Sequence, residues 1–516
     1  MISISESPDS ETSAALWLGF AAMCVGMFMA VLDVQVVASS LTAIQTALHI
    51  PLGRLGWIQT AYLMAEVVAI PLTGILTRAL SLRILFAGAT LGFVIASWAC
   101  ALAPGFDVLI AARVVQGFFG GMLIPSVFTA VFVLIPERHH ILATTMAGVA
   151  ALLAPTMGPL LGGWLTETQS WHWIFLINIL PGLIVALIVL MCLKNERTNV
   201  AVLKRLDGLT LLLFAIFLAD LQWLLNEGPH YHWRGSYIWG LILTCGITCA
   251  WGIHRALSVA NPFVHLKRFG NRRFALGCAL SFVLGVGLYG SVYLLSVFLG
   301  VVRSHTPLVI GEILIVSGGA QLLTAPVAAW AETKINARLL TLFGFALFGA
   351  GLIANGFTTQ TSDFNQLFWP QVMRGLAVLF CLLPSTRCAL EHWQPEDVAE
   401  ASGLFNLMRN LGGAIGIAVI DTVLTERTQG HVTNLVARLQ AGDPSAARLA
   451  GLPVGQFHNH AMGPVDPITQ AMIEPMVRRA ALTQSCNEAW LVLGVLFLTA
   501  LLLVPAIVKP KAECAL

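Results

Sequence analysis

Fourteen apolar stretches, each near the roughly 20 residues that cross a bilayer core of about 30 Å, run the length of this 516-residue chain. Six lie near 15 to 37, 54 to 76, 83 to 103, 107 to 133, 141 to 165 and 172 to 193, two near 207 to 226 and 236 to 257, and six near 273 to 300, 308 to 331, 337 to 357, 364 to 389, 400 to 424 and 487 to 508. In lipid the backbone N–H and C=O groups must be satisfied within each segment, so such stretches are constrained to be helices. With 57% hydrophobic and 10% charged residues, the chain has too little charge for a water-facing surface of its size. It reads as an all-α polytopic membrane protein with fourteen transmembrane helices.

An even number of crossings places both termini on one side. Arg78, Arg83, Arg138, the run 194 to 205, Arg255 to Arg273, Lys334, Arg338, Lys509 and Lys511 fall on that side, against Arg54, Arg234 and Arg303 in the opposite short loops, so the termini are expected in the cytoplasm. Only the long outer segment 425 to 486 carries several arginines on the other side, and its stretch Ile468 to Thr483 reads as a short amphipathic helix. Residues 1 to 13 are polar and acidic without a basic flank, which argues against a cleaved signal peptide. The cysteines show no metal-like spacing, and Cys245 and Cys249, one turn apart, read as apolar packing. His458 and His460 read as a solvated loop in preference to a metal site. No metal and no nucleic-acid partner is expected.

Displacing the chain against itself by about 255 positions aligns Pro71 and Arg83 with Pro326 and Arg338, Arg113 to Gly117 with Gln371 to Gly375, and Gly158 to Gly163 with Gly412 to Gly416. The chain is therefore read as a six-helix half (1–200), an inserted two-helix linker (201–260), and a second six-helix half (261–516) that carries the outer segment. Two parallel six-helix repeats about an axis along the membrane normal make the major facilitator fold, with a substrate cavity between them at mid-membrane.

Several polar residues fall inside the apolar spans. Asp33 lies deep in the first, where an ionised carboxylate costs about 2.5–3.5 kcal/mol on an insertion scale. It reads either as a carboxyl that exchanges protons or pairs with a cationic substrate, or as an inert hydrogen-bonded residue near a helix end. Glu66, well centred in the second span, is either a second proton or cation site or a structural partner. Arg113 and Gln116 precede Gly117, Gly120 and Gly121; a buried guanidinium there either sets the proton affinity of a nearby carboxylate or holds a broken helix together. Glu312 is a further proton-site candidate, whereas Asp220 and Asp421 read as structural or interfacial, and Arg374 and Arg409 as structural. Gln35, Gln59, Tyr62, Gln116, Tyr289 and Tyr293 join Asp33 and Glu66 as candidate cavity residues; Trp57, Trp369 and most of the tyrosines also suit interface anchors or packing. Pro155, Gly158, Pro159, Gly162 and Gly163 mark a helix built to bend and pack closely. No phosphate-binding loop occurs, so ATP is not the expected driver. No nucleophile, base and orienting partner group together, which argues against an enzyme.

In order along the chain, these residues resemble the fourteen-helix drug/proton antiporter family of the major facilitator superfamily, and most closely its EmrB-like members. Leu32-Asp33-Val34-Gln35 is similar to the first-helix element, Arg113-Val114-Val115-Gln116-Gly117 to the fourth-helix motif, Gly158-Pro159 with Gly162-Gly163 to the fifth-helix antiporter motif, and Trp171 to Gly182 to the opening of the sixth helix. Trp57 to Tyr62 and Ile70 to Gly74 also fit. The resemblance implies export of hydrophobic or amphipathic compounds in exchange for protons by alternating access, with no cofactor beyond the proton gradient. Within this reading Asp33 is taken as principal coupling carboxylate, Arg113 as its modulator, Glu66 as a second proton or cation site and Glu312 as a further candidate, with Gly74, Arg78, Arg83, Gly117 and the Pro155 to Gly163 cluster as conformational elements. The resemblance also implies a bacterial inner membrane, surrounding lipid, and an EmrA-like periplasmic adaptor with a TolC-like outer-membrane channel, the outer segment 425–486 being the natural docking surface. Two departures stand out: Arg78 and Ser81 replace an aspartate and a glycine of the second-to-third loop motif, and Gln35 to Ser39 differ from the usual first-helix residues. A dedicated exporter of an endogenous metabolite such as a siderophore or fatty acid, and a non-transporting membrane sensor or scaffold, are the alternative readings.

Overall fold

Lipid leaves the apolar segments no alternative to helix, and the computed structural model has fourteen helices long and apolar enough to span a membrane among its described residues. It describes residues 14–193, 198, 207–228, 231, 233–259, 265–391, 393, 395–456 and 467–506. The basic run 194 to 205 (save residue 198), His458, His460, Lys509 and Lys511 lie outside them.

The first six crossings are α1 (Ala14–Leu48), α2 (Trp57–Leu80), α3 (Leu82–Ala101), α4 (Phe106–Leu134), α5 (His140–Thr168), and a sixth made of two pieces, α6 (Trp173–Leu176) and α7 (Ile179–Cys192). The inserted pair is α8 (Gly208–Glu227) and α9 (Ser236–Ser258). The last six are α10 (Arg272–Val297), α11 (Pro307–Lys334), α12 (Ala337–Asn355), α13 (Phe364–Leu390), α14 (Pro395–Gln440) and α16 (Pro467–Ala500), with the short α15 (Pro444–Ala450) between the last two.

Packing follows the repeat. In the first group α1 packs on α5 and α7, α2 on α4, and α3 on α4 and α7; in the last group α10 packs on α14 and α16, α11 on α13, and α12 on α13 and α16. The two groups meet along two equivalent seams, α2 against α14 and α5 against α11. Single side chains repeat as well: Arg113 Nε donates to the Ile58 carbonyl (3.0 Å), and Gln371 Nε2, 258 positions on, donates to the Ile313 carbonyl (3.4 Å). Helix α8 lies over the first seam, touching both α2 and α14, while α9 packs chiefly on α8. Gln222 donates to Thr60, Arg54 pairs with Glu227 at 3.1 Å, and Trp57 meets Trp223 edge-on at 5.7 Å, all tying α8 to the first half.

Segment 425–486 is more helical than its sequence suggests. Ile468 to Thr483 is not a separate helix but the beginning of α16, continuous with the last span despite Pro475, and α14 likewise runs on to Gln440. Leu435, Leu439, Ala446, Ala447, Val477 and Ala481 bury one another in a small core, so the three helices form a packed extension at one end of the bundle. Arg427 forks onto Glu488 (2.7 and 3.1 Å) and His431 reaches the same carboxylate at 3.0 Å. At its tip Asp443 caps α15 through the Ser445 N–H (2.8 Å) and pairs with Arg438. Bonds from Ser445 and then Arg438 pull its carboxyl down to about 2. A depressed carboxyl stabilises the fold above its unfolded value near 3.9 and loses that contribution as pH falls toward 2. Hydrogen-exchange protection factors of the α15 amides, taken relative to the intrinsic rate at each pH, should therefore be unchanged between pH 7 and 5 and fall below about pH 4; a fall already at pH 6 would contradict this.

The α2–α3 turn holds one strained residue. Ser81 sits at φ 72°, ψ 153°, a region that essentially only glycine tolerates, at the position where the resembling motif has glycine. Its hydroxyl accepts only a long bond from Ile84 N–H (3.5 Å). Ser81→Gly should stabilise the protein by about 1 kcal/mol, the relieved strain exceeding the extra chain entropy of glycine. Thermal unfolding in detergent reads this, and a lower midpoint would contradict it.

A buried ion-pair cluster beside the seam

Asp33 and Gln35, two positions apart on α1, point to nearly opposite faces of that helix. Asp33 turns into the first half and is 2% exposed. There its Oδ2 pairs with Arg113 Nη1, and its Oδ1 accepts from Gln116 Nε2 (2.9 Å) and Asn178 Nδ2 (2.9 Å). Arg113, fully buried, also donates to Gln116 Oε1 (2.7 Å), and its guanidinium lies 4.4 Å from the centre of the Tyr62 ring. Gln116 donates in turn to Ser97 Oγ (2.8 Å), and Tyr62 donates to the Ala30 carbonyl (3.2 Å). A buried charge pair repays its desolvation only with such supporting bonds, and here every Asp33 oxygen has a donor.

Glycines bring the helices close enough. A Cβ on Gly117 would run into the Tyr62 backbone, and one on Gly121 would lie 2.8 Å from Glu66 Cγ, so α4 can touch α2 only with glycine at these places. Asn178 was not singled out by itself in the sequence. It sits where the sixth crossing breaks between α6 and α7, and that break aims its side chain at Asp33; a polar residue three positions before Pro181 was the available signal.

Glu66 faces the second half. It is 3% exposed on the α2–α14 seam, with Asn410 in hydrogen-bond reach and Arg409 nearby. Tyr289 donates to Asn410 Oδ1 (3.3 Å), joining the same group. Among the described residues no cation lies within ion-pair distance of Glu66.

We call the face where α1 begins proximal and the face where it ends distal. The seams are tightest distally. A Cβ on Gly163 would run into the Pro307 carbonyl and one on Gly300 into Thr42. Asp421 of α14 accepts from the Gly56 N–H (3.1 Å) and from the Tyr293 hydroxyl, so an acid read as interfacial does bridge the halves. Proximally, Gly403 meets Ile70 only at an ordinary 3.7 Å, and a Cβ on Gly74, Gly148 or Gly319 would touch nothing within 4 Å. Between the halves lies a small cavity lined by Gln35, Pro155 and Pro159 on one side and by Leu314, Phe348 and Arg374 on the other.

The candidate residues thus separate into several places. Asp33, Arg113, Gln116 and Tyr62 form the interior cluster; Glu66 and Tyr289 stand on the seam; Gln35 lines the cavity; Tyr293 is in the distal bridge; Gln59 is buried in α2. Glu312 is exposed near the distal end of α11, and the structure does not bring it to this group. The glycine cluster of α5 serves two contacts: Gly158 and Gly162 press on α1, Gly163 and Pro159 on α11. Arg78 is exposed and bonds its own helix at the Gly74 carbonyl (3.3 Å), while Arg83 is half-buried and its Nε has no partner among the described residues. No three metal-ligating side chains come together among the described residues.

The family model described as Major Facilitator Superfamily matches residues 23–417. The chain belongs to the major facilitator superfamily. Among curated relatives, it is 38% identical over 420 residues to the colistin resistance protein EmrB of Acinetobacter baumannii, covering 81% of this chain and 82% of that one. It is 29% identical over 481 residues to the multidrug export protein EmrB of Escherichia coli K12, covering 92% of each. Among solved structures, a bacterial homolog of the human lysosomal transporter Spinster, described as inward-facing and occupied, superposes with a TM-score of 0.62 at 13% identity over 95% of this chain and 96% of that one. Membership makes the chain a membrane transporter of this superfamily, not an enzyme.

Proposed function

We propose that this transporter exports hydrophobic and amphipathic compounds, drugs among them, in exchange for protons, by rocking its two halves about the cavity between them. The observation that carries the reading is the carboxylate pair: Asp33 locked onto Arg113 inside one half, and Glu66 on the seam with no ion-pair partner among the described residues. A carboxyl on a moving seam meets each side of the membrane in turn, and protonating Glu66 removes its attraction to Arg409 and turns one of its two acceptor oxygens into a donor beside Asn410. The relatives whose names record multidrug export and colistin resistance support the cargo class. The gradient suffices: one pH unit supplies about 1.4 kcal/mol per proton, and 100 mV about 2.3 kcal/mol per charge moved.

The proximal face is the cytoplasmic one in this reading, supported by Arg78, Arg138, Arg255, Lys334 and Arg338 at proximal helix ends. The membrane is the bacterial inner membrane, and the packed extension of α14, α15 and α16 is the docking surface for an EmrA-like adaptor feeding a TolC-like channel. Expression in a bacterium stripped of its own pumps tests the export reading. The wild type should raise tolerance to several unrelated lipophilic compounds at least fourfold, and Glu66→Gln should not; no change with any compound would contradict it. Deleting the extension should abolish adaptor co-purification, and retained co-purification would sink that assignment.

A further inference from the structure

The repeat is faithful in backbone and unfaithful in charge. Gly117 packs on the Tyr62 backbone and Gly375, 258 positions on, packs on the Ser317 backbone, 255 positions on, so α4 and α13 occupy matching places in their halves. In that register Gln371 stands where Arg113 does, as their matching bonds to Ile58 and Ile313 show, and Arg374 stands where Gln116 does. The first half places an acid, Asp33, against its arginine. In the second half the arginine comes without one.

Arg374 is 2% exposed, about 15 Å along α13 from its distal start at the helical rise per residue. Its Nε and Nη1 have no hydrogen-bond acceptor, and it forms no ion pair among the described residues. Among the described residues its guanidinium lies over the Trp490 ring, 5.4 Å from the ring centre. A permanently charged group buried at membrane depth without a counter-ion is costly, and such groups mark substrate pathways. It is also placed to be used, because the side chain lines the cavity between the halves. Gln35 and Gln321 add amide donors to the wall, and Leu314, Phe348 and Val378 make the rest apolar.

We propose that this cavity, once the halves part far enough to admit a ligand, is a binding site for an amphipathic anion, with a carboxylate on Arg374 in the place that Asp33 fills in the other half and an apolar tail along Leu314, Phe348 and Val378. The proposal deepens the export reading and rests on it for the word substrate, but not for the binding itself. The pocket supplies one net positive charge, so it should prefer an anion over a neutral molecule of equal length, and both over a cation.

The test is calorimetric binding of octanoate, octanol and octyltrimethylammonium to the full chain in phosphatidylcholine nanodiscs, whose lipids carry no net charge to compete. The wild type should bind octanoate at least tenfold tighter than octanol, and the cation most weakly. In Arg374→Gln the octanoate-to-octanol ratio should collapse to near one, and Arg374→Lys should restore part of it. A wild type with no preference for octanoate overturns the proposal whether or not the variants fold, and so does a preference that survives in Arg374→Gln. The same protein in proteoliposomes keeps the two readings apart. A wild type that prefers octanoate yet moves no compound supports the anion site and contradicts export. One that exports lipophilic dyes without preferring octanoate contradicts the anion site alone.

Discussion

Arg113→Gln is expected to cost about 3–5 kcal/mol of stability, and adding Asp33→Asn to it should return most of that loss. The single change strands a carboxylate that is 2% exposed; the double change leaves two amides that can bond each other and Asn178. Asp33→Asn alone should be milder. It keeps an acceptor for Gln116 or Asn178 and leaves Arg113 its bonds to Ile58 and Gln116 and its place over Tyr62. Unfolding of the purified proteins in detergent gives the coupling directly, and additive losses in the double mutant would show that the pair carries no energy of its own. If antiport proceeds as proposed, all three variants should also lose coupled transport, because each removes the charged Asp33–Arg113 pair.

Gly163→Val should reduce transport more than tenfold while leaving a folded protein. Its side chain would meet the Pro307 backbone across the distal seam, so it opposes closure between the halves, not folding within one. Gly117→Val is the contrasting case. It would meet the Tyr62 backbone inside the first half, and should yield little folded protein. Transport by Gly163→Val at wild-type rate would mean that the distal seam need not close as tightly as seen here.

Much of this architecture was legible because the bilayer admits so few solutions. Hydropathy alone places the fourteen crossings, and the shared offset of about 255 positions anticipates the helix pairing that recurs from α1–α5 to α10–α14. The Asp33–Arg113 pairing was half legible: each residue stands out as a charge in an apolar run, but only the fold shows that they meet 80 positions apart. Asn178 stands in the sequence only as one member of the Trp171 to Gly182 stretch, because a neutral amide costs little there and its bond to Asp33 depends on a helix break. The length of α14 and α16 was hidden as well. Their outer parts are polar on one face and depend on Leu435, Leu439, Val477 and Ala481 finding each other across some forty residues of chain. Arg374 read as structural because its lack of a partner is visible only in three dimensions.

Proton movement across the membrane of proteoliposomes, followed under an imposed pH gradient as lipophilic compounds are added, decides whether Asp33 couples protons to cargo. Compound-dependent proton flux is expected in the wild type and should be lost in Asp33→Asn, with both proteins equally monodisperse. Flux of the same size in Asp33→Asn would contradict the role of that carboxylate, and export by the wild type without any proton movement would contradict antiport itself.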